Sequence, residues 1–197
     1  LSEDQELAMT CLFSLEEAKY KTVIIYNQGC LSNQELEKFL EKFKLNFIII
    51  GEGKNVGIPV GRQRCFEYIW THRRETKYIS ELHLDMIFSP LWEEALVGYL
   101  RTHEEPMISC GIIDKSGDMK FSGNTIREIP RDGTEMQKFL RNLTSNKIVH
   151  GFTHPCIHVS HILEEVGGYD LRFLEGKHCF EDDSLLLGYY YYYGTKA

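Results

Sequence analysis

The sequence predicts an α/β fold in which a mainly parallel central sheet is flanked by helices. Three observations predict it. Short β-branched apolar runs alternate with stretches of helical spacing between residues 22 and 102. Glycine-containing turns close the first two runs. Helix-start signals follow those turns: a capping box after the first and a proline after the second.

Val23-Ile24-Ile25-Tyr26 reads as a buried strand ending at the turn Asn27-Gln28-Gly29. Ser32 with Glu35 three positions on is the capping box, and Leu36, Phe39, Leu40 and Phe43 follow at helical spacing. Phe47-Ile48-Ile49-Ile50 is a second buried strand, closed by Gly51-Glu52-Gly53. A helix from about Pro59 to His72 turns Phe66 and Ile69 inward, Tyr78 to Leu84 forms a third strand, and Pro90 to Thr102 a third helix. Such alternation implies right-handed crossovers and parallel pairing. Ligands of these sheets bind beyond the carboxyl ends of the strands, so Asn27, Glu52 and the group around His83 and Asp85 are the places to look for function. The second half is less regular. Met107 to Ile113 reads as a strand, Asp114 to Asp132 as hairpins and loops, and Glu135 to Leu143 as a helix. One or two strands are expected within Ile148 to Ser160, and a closing helix from Ser184.

A chain of 197 residues, 43% hydrophobic and 26% charged, suits one domain with a substantial core. Its net charge of −7 argues against a nucleic-acid-coating surface. No run approaches the roughly 20 apolar residues of a membrane span, and Leu1 to Glu6 are too polar for a secretory signal. Cys11, Cys30, Cys65, Cys110, Cys156 and Cys179 are widely spaced with no Cys-x-x-Cys pair, as expected of reduced thiols. The expected location is cytoplasmic, in solution or peripheral to a membrane.

Three segments, in order, carry a resemblance. The first is Gly51-Glu52-Gly53-Lys54-Asn55-Val56-Gly57 followed by Gly61-Arg62-Gln63; the second is Tyr78 to Asp85 followed by Ser89-Pro90; the third is Val166-Gly167-Gly168-Tyr169-Asp170 followed by Glu181-Asp182-Asp183. Together they resemble the signatures of family 2 glycosyltransferases over most of residues 22 to 190. The resemblance implies one GT-A domain over residues 1–197, with a Rossmann-like nucleotide-binding half at about 20–105. An acceptor half at about 106–197 would be shortened at its C-terminus relative to the family. It departs from the family in that His83 stands at the first Asp of the Asp-x-Asp motif, Gly51 at the aspartate that contacts the base, and the loop from Glu52 to Asn55 is short.

The implied activity is inverting transfer from a nucleotide diphosphate sugar to a glycan or glycoconjugate, as in polysaccharide biosynthesis. The diphosphate leaving group is strongly anionic, and a divalent cation, Mn²⁺ or Mg²⁺, would neutralise it. Asp85 is the implied metal ligand; by spacing alone it equally suits a turn or N-cap. His83, two residues earlier, would lie on the same side of an extended strand, as a second ligand, a contact to ribose or phosphate, or a buried histidine. The resemblance makes Asp182 the general base, flanked by Glu181 and Asp183, although three acids also suit a helix N-terminus. Tyr26, Asn27, Glu52, Asn55, Gly57 and Arg62 would line the nucleotide-sugar site, and His154, Gly168, Tyr169 and Asp170 the acceptor side. Tyr189 to Tyr193 would circle a helix, some packed and some exposed. His150, His154, His158 and His161 are interrupted by Gly151 and Pro155, which disfavours a shared zinc face. A second reading is a catalytically impaired GT-A domain that binds nucleotide or sugar. A nucleotidyltransferase lacks support, because no glycine-rich basic loop follows the first strand.

Overall fold

The computed structural model describes residues 3–16, 22–119, 123–143, 147–152, 154–174 and 180–193. It is a mixed α/β structure of two compact units, each built from two stretches of chain. The first comprises residues 1–20 and 80–157, the second residues 21–79 and 158–197.

In the second unit, β1 (Thr22–Tyr26) and β2 (Asn46–Ile50) pair in parallel, Thr22 opposite Asn46 and Tyr26 opposite Ile50. The crossover between them contains α2 (Asn33–Leu40), whose N-cap is the expected capping box: Ser32 Oγ accepts from the Glu35 N–H and the Glu35 carboxylate accepts from the Ser32 N–H. α3 (Ile58–His72) starts at the left-handed Gly57 with Pro59 in its first turn, where a missing N–H is harmless, and buries Phe66. α6 (Ser160–Val166), the short α7 (Leu171–Leu174) and α8 (Glu181–Tyr193) complete this unit, with α3 packing on β1, α6 and α7. On α8, Leu185 and Tyr189, one turn apart, are fully buried, whereas Tyr190, Tyr191 and Tyr192 are exposed, so the tyrosine run divides as its spacing implied.

The first unit holds α1 (Glu3–Glu16), α4 (Trp92–Thr102), the short β4 (Met107–Ser109) and α5 (Gly133–Arg141). α1 buries Cys11, Leu12 and Leu15 and packs against α5. Asp132 caps α5, accepting from the N–H groups of Thr134 and Glu135. Antiparallel bridges Ile113–Met119 and Asp118–Thr125 make the loops expected after residue 114, of which residues 120–122 lie outside the described residues.

The strands form two sheets, not one mainly parallel sheet. β3 (Tyr78–Glu81) joins β5 (Cys156–Val159) and β4 in an antiparallel sheet of order β3-β5-β4. The physical reason is visible in β3 itself. Only Ile79 and Glu81 are buried while Tyr78 and Ser80 are partly exposed, the one-sided pattern of an antiparallel strand; a parallel strand covered by helices is apolar on both faces. β3 also stops at Glu81, three residues short of the expected end at Leu84, which leaves His83 and Asp85 in the turn beyond. The chain passes between the units within β3 and again within β5.

Candidate functional site

The best-formed polar constellation of the second unit begins at the carboxyl ends of β1 and β2. Asn27 is buried there, and its side chain is fully engaged. Its amide nitrogen donates to Leu31 O at 2.9 Å and to Asn33 Oδ1 at 2.7 Å, and its Oδ1 accepts from the Gly29 N–H at 2.9 Å. Asn27 thus shapes the loop after β1. Asn33 Nδ2 in turn donates to Gly51 O at 3.2 Å, tying that loop to the one after β2. The two loops meet where a Cβ on Gly29, at φ 102°, would stand 2.3 Å from Gly53 O, so only glycine allows the contact.

Tyr26 accounts for the glycine at position 51. A Cβ at Gly51 would lie 3.0 Å from the Tyr26 ring and 3.0 Å from Asn27 O, on a backbone with φ 84°. The aromatic ring occupies the space an aspartate would need. Glu52 is exposed beside it, and Asn55 accepts from the Gly57 N–H at 2.9 Å in a local Asx turn that leads into α3.

One helical turn into α3, Arg62 and Gln63 reach toward the C-terminal part of the unit. Gln63, buried, accepts the Tyr169 N–H at 2.9 Å through Oε1 and donates to Gly167 O at 3.1 Å through Nε2. These bonds hold the Gly167-Gly168-Tyr169 turn, which ends α6: the N–H groups of Gly167 and Gly168 both donate to Leu163 O, and Gly167 has φ 91°. Gly168 meets Gln63 so closely that a Cβ there would stand 2.3 Å from Oε1. Tyr169, set by this clamp, stacks on Phe66 at 5.8 Å. The Arg62 guanidinium then donates to the Tyr169 hydroxyl at 3.2 Å and forms an ion pair with Asp182 at 3.5 Å. Asp182 lies in the first turn of α8 with Glu181 and the more exposed Asp183, where the helix dipole favours negative charge. Asp170 instead pairs with Arg172 at 2.6 Å, and hydrogen bonds from that guanidinium hold its carboxyl below the usual carboxylate range. Arg62, expected on the nucleotide side, thus meets Tyr169, expected on the acceptor side, and Asp182, expected to be catalytic, while Asp170 pairs with Arg172.

His83, Asp85 and His154 belong to the first unit. His83 Nδ1 and Asp85 Oδ1 are 4.0 Å apart in the turn after β3, both side chains open to solvent. Two bonds of about 2.1 Å to one cation span at most about 4.2 Å, so the pair can share a divalent ion if it closes slightly. His154 is buried. Its Nε2 lies 3.4 Å from Glu81 Oε1, and its ring packs on His83 at 4.5 Å. His150 and His161 are exposed.

Sequence reasoning passed over Gln63, Glu81 and Cys156. The Cys156 thiol lies 3.9 Å from Glu81 Oε2. Glu81 on β3 and Cys156 on β5 are both buried. His158 engages the Tyr189 hydroxyl through Nδ1 at 2.8 Å. The period of two along β3, which puts Glu81 on the same face as Ile79, is the signal that would have found the carboxylate. Cys11, Cys30, Cys65, Cys110 and Cys156 are free thiols, and Cys179 lies outside the described residues. Burial raises the Cys11 thiol to about 12 and the Cys110 thiol to about 11. Among the described residues no helix is long and apolar enough to cross a membrane.

Comparison with known proteins supplies no family to which these residues can be assigned: no protein-family model, no curated protein and no solved structure matches the chain.

Proposed function

We propose that the chain is a glycosyltransferase domain of the GT-A kind, moving a sugar from a nucleotide diphosphate sugar to a glycan or glycoconjugate with inversion. The observation that carries this reading is the reach of Arg62 to both Tyr169 and Asp182, 107 and 120 residues away in sequence. It unites, in one unit, the glycine-rich segment before α3, the Gly-Gly-Tyr turn and the acidic start of α8. A guanidinium offers the charge a departing diphosphate needs. Asp182, 3.5 Å from the Arg62 guanidinium, accepts the proton of the attacking hydroxyl. Asp85 with His83 would hold Mn²⁺ or Mg²⁺, whose contribution is neutralisation of phosphate charge.

One observation favours a second reading, a domain that binds nucleotide or sugar without transferring it. The Asn27 amide is spent on internal hydrogen bonds and Tyr26 fills the place of the base-contacting aspartate.

A transfer assay beside nucleoside diphosphate binding, with and without Mn²⁺, separates the two. Asp182→Asn is expected to lower turnover about 10²–10⁴-fold with little change in nucleotide affinity, and Asp183→Asn to do far less. Arg62→Gln should weaken diphosphate binding about 10-fold or more. Binding without transfer in the parent chain selects the second reading, and the absence of both discards the two together.

A further inference from the structure

We propose that the outer face of α8 is the contact through which two copies of this chain pair, antiparallel about a two-fold axis at Leu187. A surface helix is ordinarily apolar on one side, whereas α8 is apolar on both. Leu185 and Tyr189 are fully buried. Nearly opposite them, Phe180, Leu187 and Tyr191 fall 7 and 4 residues apart, the spacing of a single stripe, and are 76%, 53% and 81% exposed. Tyr192, by contrast, donates its hydroxyl to Glu165 within the unit. Phe180 comes just before the helix, and its carbonyl accepts from the Ser184 N–H at 2.9 Å. Its φ of 65° is strained backbone for a bulky residue, kept where the ring stands in solvent.

A second copy fits this face in area and in register. At about 200 Å² for a whole aromatic side chain, Phe180, Tyr191 and the 45%-exposed Tyr190 offer roughly 400 Å² per copy, and Leu187 brings that to about 500 Å². Two copies thus cover about 1,000 Å², the size at which a specific interface begins. Set antiparallel about Leu187, the helices bring Asp183, four residues before it, level with the partner's Tyr191, four residues after it. The tyrosine hydroxyl is a donor for a carboxylate, and Asp183 is exposed to receive it. Symmetry makes that bond twice. Phe180 then lies within about one turn of the same partner tyrosine, in reach of ring packing. The two Asp183 carboxylates stay about 12 Å apart along the axis, beyond the Debye length of about 8 Å, so their repulsion is screened. A parallel pair would instead set Asp183 against its own copy. The contact does not rest on the activity proposed above.

Sedimentation equilibrium of the full chain from about 1 to 200 μM should show a monomer–dimer equilibrium with a Kd of about 10 μM, as suits an interface of this size. Leu187→Glu sets two carboxylates face to face at the axis and should weaken pairing at least about 100-fold. Because Leu187 is exposed, that variant should keep the parent's far-ultraviolet circular dichroism. Tyr191→Phe and Asp183→Asn should each weaken pairing about 10-fold, and the two together no more than either alone, the mark of a bond between them. A parent that stays monomeric to about 200 μM would overturn the proposal, and binding of that monomer to phosphatidylcholine vesicles would assign the stripe to a membrane surface instead. A dimer untouched by Leu187→Glu, or losses from Tyr191→Phe and Asp183→Asn that simply add, would overturn it as well.

Discussion

Replacing Gln63 with leucine tests the clamp on the Gly-Gly-Tyr turn without involving any ligand. The two side chains are close in size, so the substitution removes hydrogen bonds and leaves little cavity. Two backbone groups lose their partners: the N–H of Tyr169, now 2.9 Å from Oε1, and the carbonyl of Gly167, 3.1 Å from Nε2. Gln63 is only 6% exposed and Tyr169 only 3%, so water does not readily replace them. At about 1–3 kcal/mol for each orphaned group, the expected loss is about 2–6 kcal/mol. For a chain of this size that lowers the melting temperature by on the order of 10 °C. Urea unfolding followed by circular dichroism measures the free energy. Gln63→Glu is the informative companion: it still accepts from Tyr169, but it sets an oxygen against Gly167 O and against the Glu67 carboxylate that Gln63 Nε2 now meets at 3.4 Å, so it should cost at least as much as Gln63→Leu. A cost below about 0.5 kcal/mol for Gln63→Leu, which is the ordinary range for surface substitutions, would refute the reasoning.

Ser32→Ala removes the oxygen that accepts from Glu35 and should cost about 1 kcal/mol in the same unfolding experiment; no change would mean that the capping box contributes nothing. Because burial raises the Cys110 thiol from 9.0 to about 11, the folded chain keeps it neutral where the unfolded chain ionises it. The sign follows directly: this contribution is intact below pH 9.0 and is lost as pH rises toward about 11, at no more than about 1.4 kcal/mol per pH unit. Cys110→Ala should flatten the fall in stability across that window. Iodoacetamide at pH 8 should modify the exposed Cys30 well before the buried Cys11, as peptide mapping would reveal.

Where local chemistry decides structure, the sequence was legible. The β-branched runs became β1 and β2, the Ser32–Glu35 pair became the start of α2, and Pro59 marks the first turn of α3. α1 went unread because its opening residues are acidic and polar, while Cys11, Leu12 and Leu15, which bury it, fall in its second half. The partner of β3 could not be read locally, since β5 lies more than 70 residues downstream and nothing within Tyr78–Glu81 names it. The candidate site divides in the same way. Arg62 and Asp182 were visible as motif residues, but their contact depends on how Gln63 sets the turn before Tyr169. That is a matter of packing between α3 and the end of α6. The closeness of the Gly51 backbone to the Tyr26 ring, where a Cβ would stand 3.0 Å away, is likewise a matter of packing that no local signal carries.

The interleaving of the two units has a consequence for synthesis. On the ribosome, residues 21–79 emerge early, yet the rest of their unit begins only at residue 158. The unit made of residues 1–20 and 80–157 is complete first, while β1, α2, β2 and α3 wait for α6 and α8. During that wait the α3 face that later meets α6 has no cover, and a nascent chain in this condition is exposed to aggregation. Cutting the gene at a single point cannot release either unit whole. Joining residue 79 to residue 158 through a short linker, with residues 80–157 excised, would make the second unit continuous, and that shortened chain is expected to form the unit without the delay.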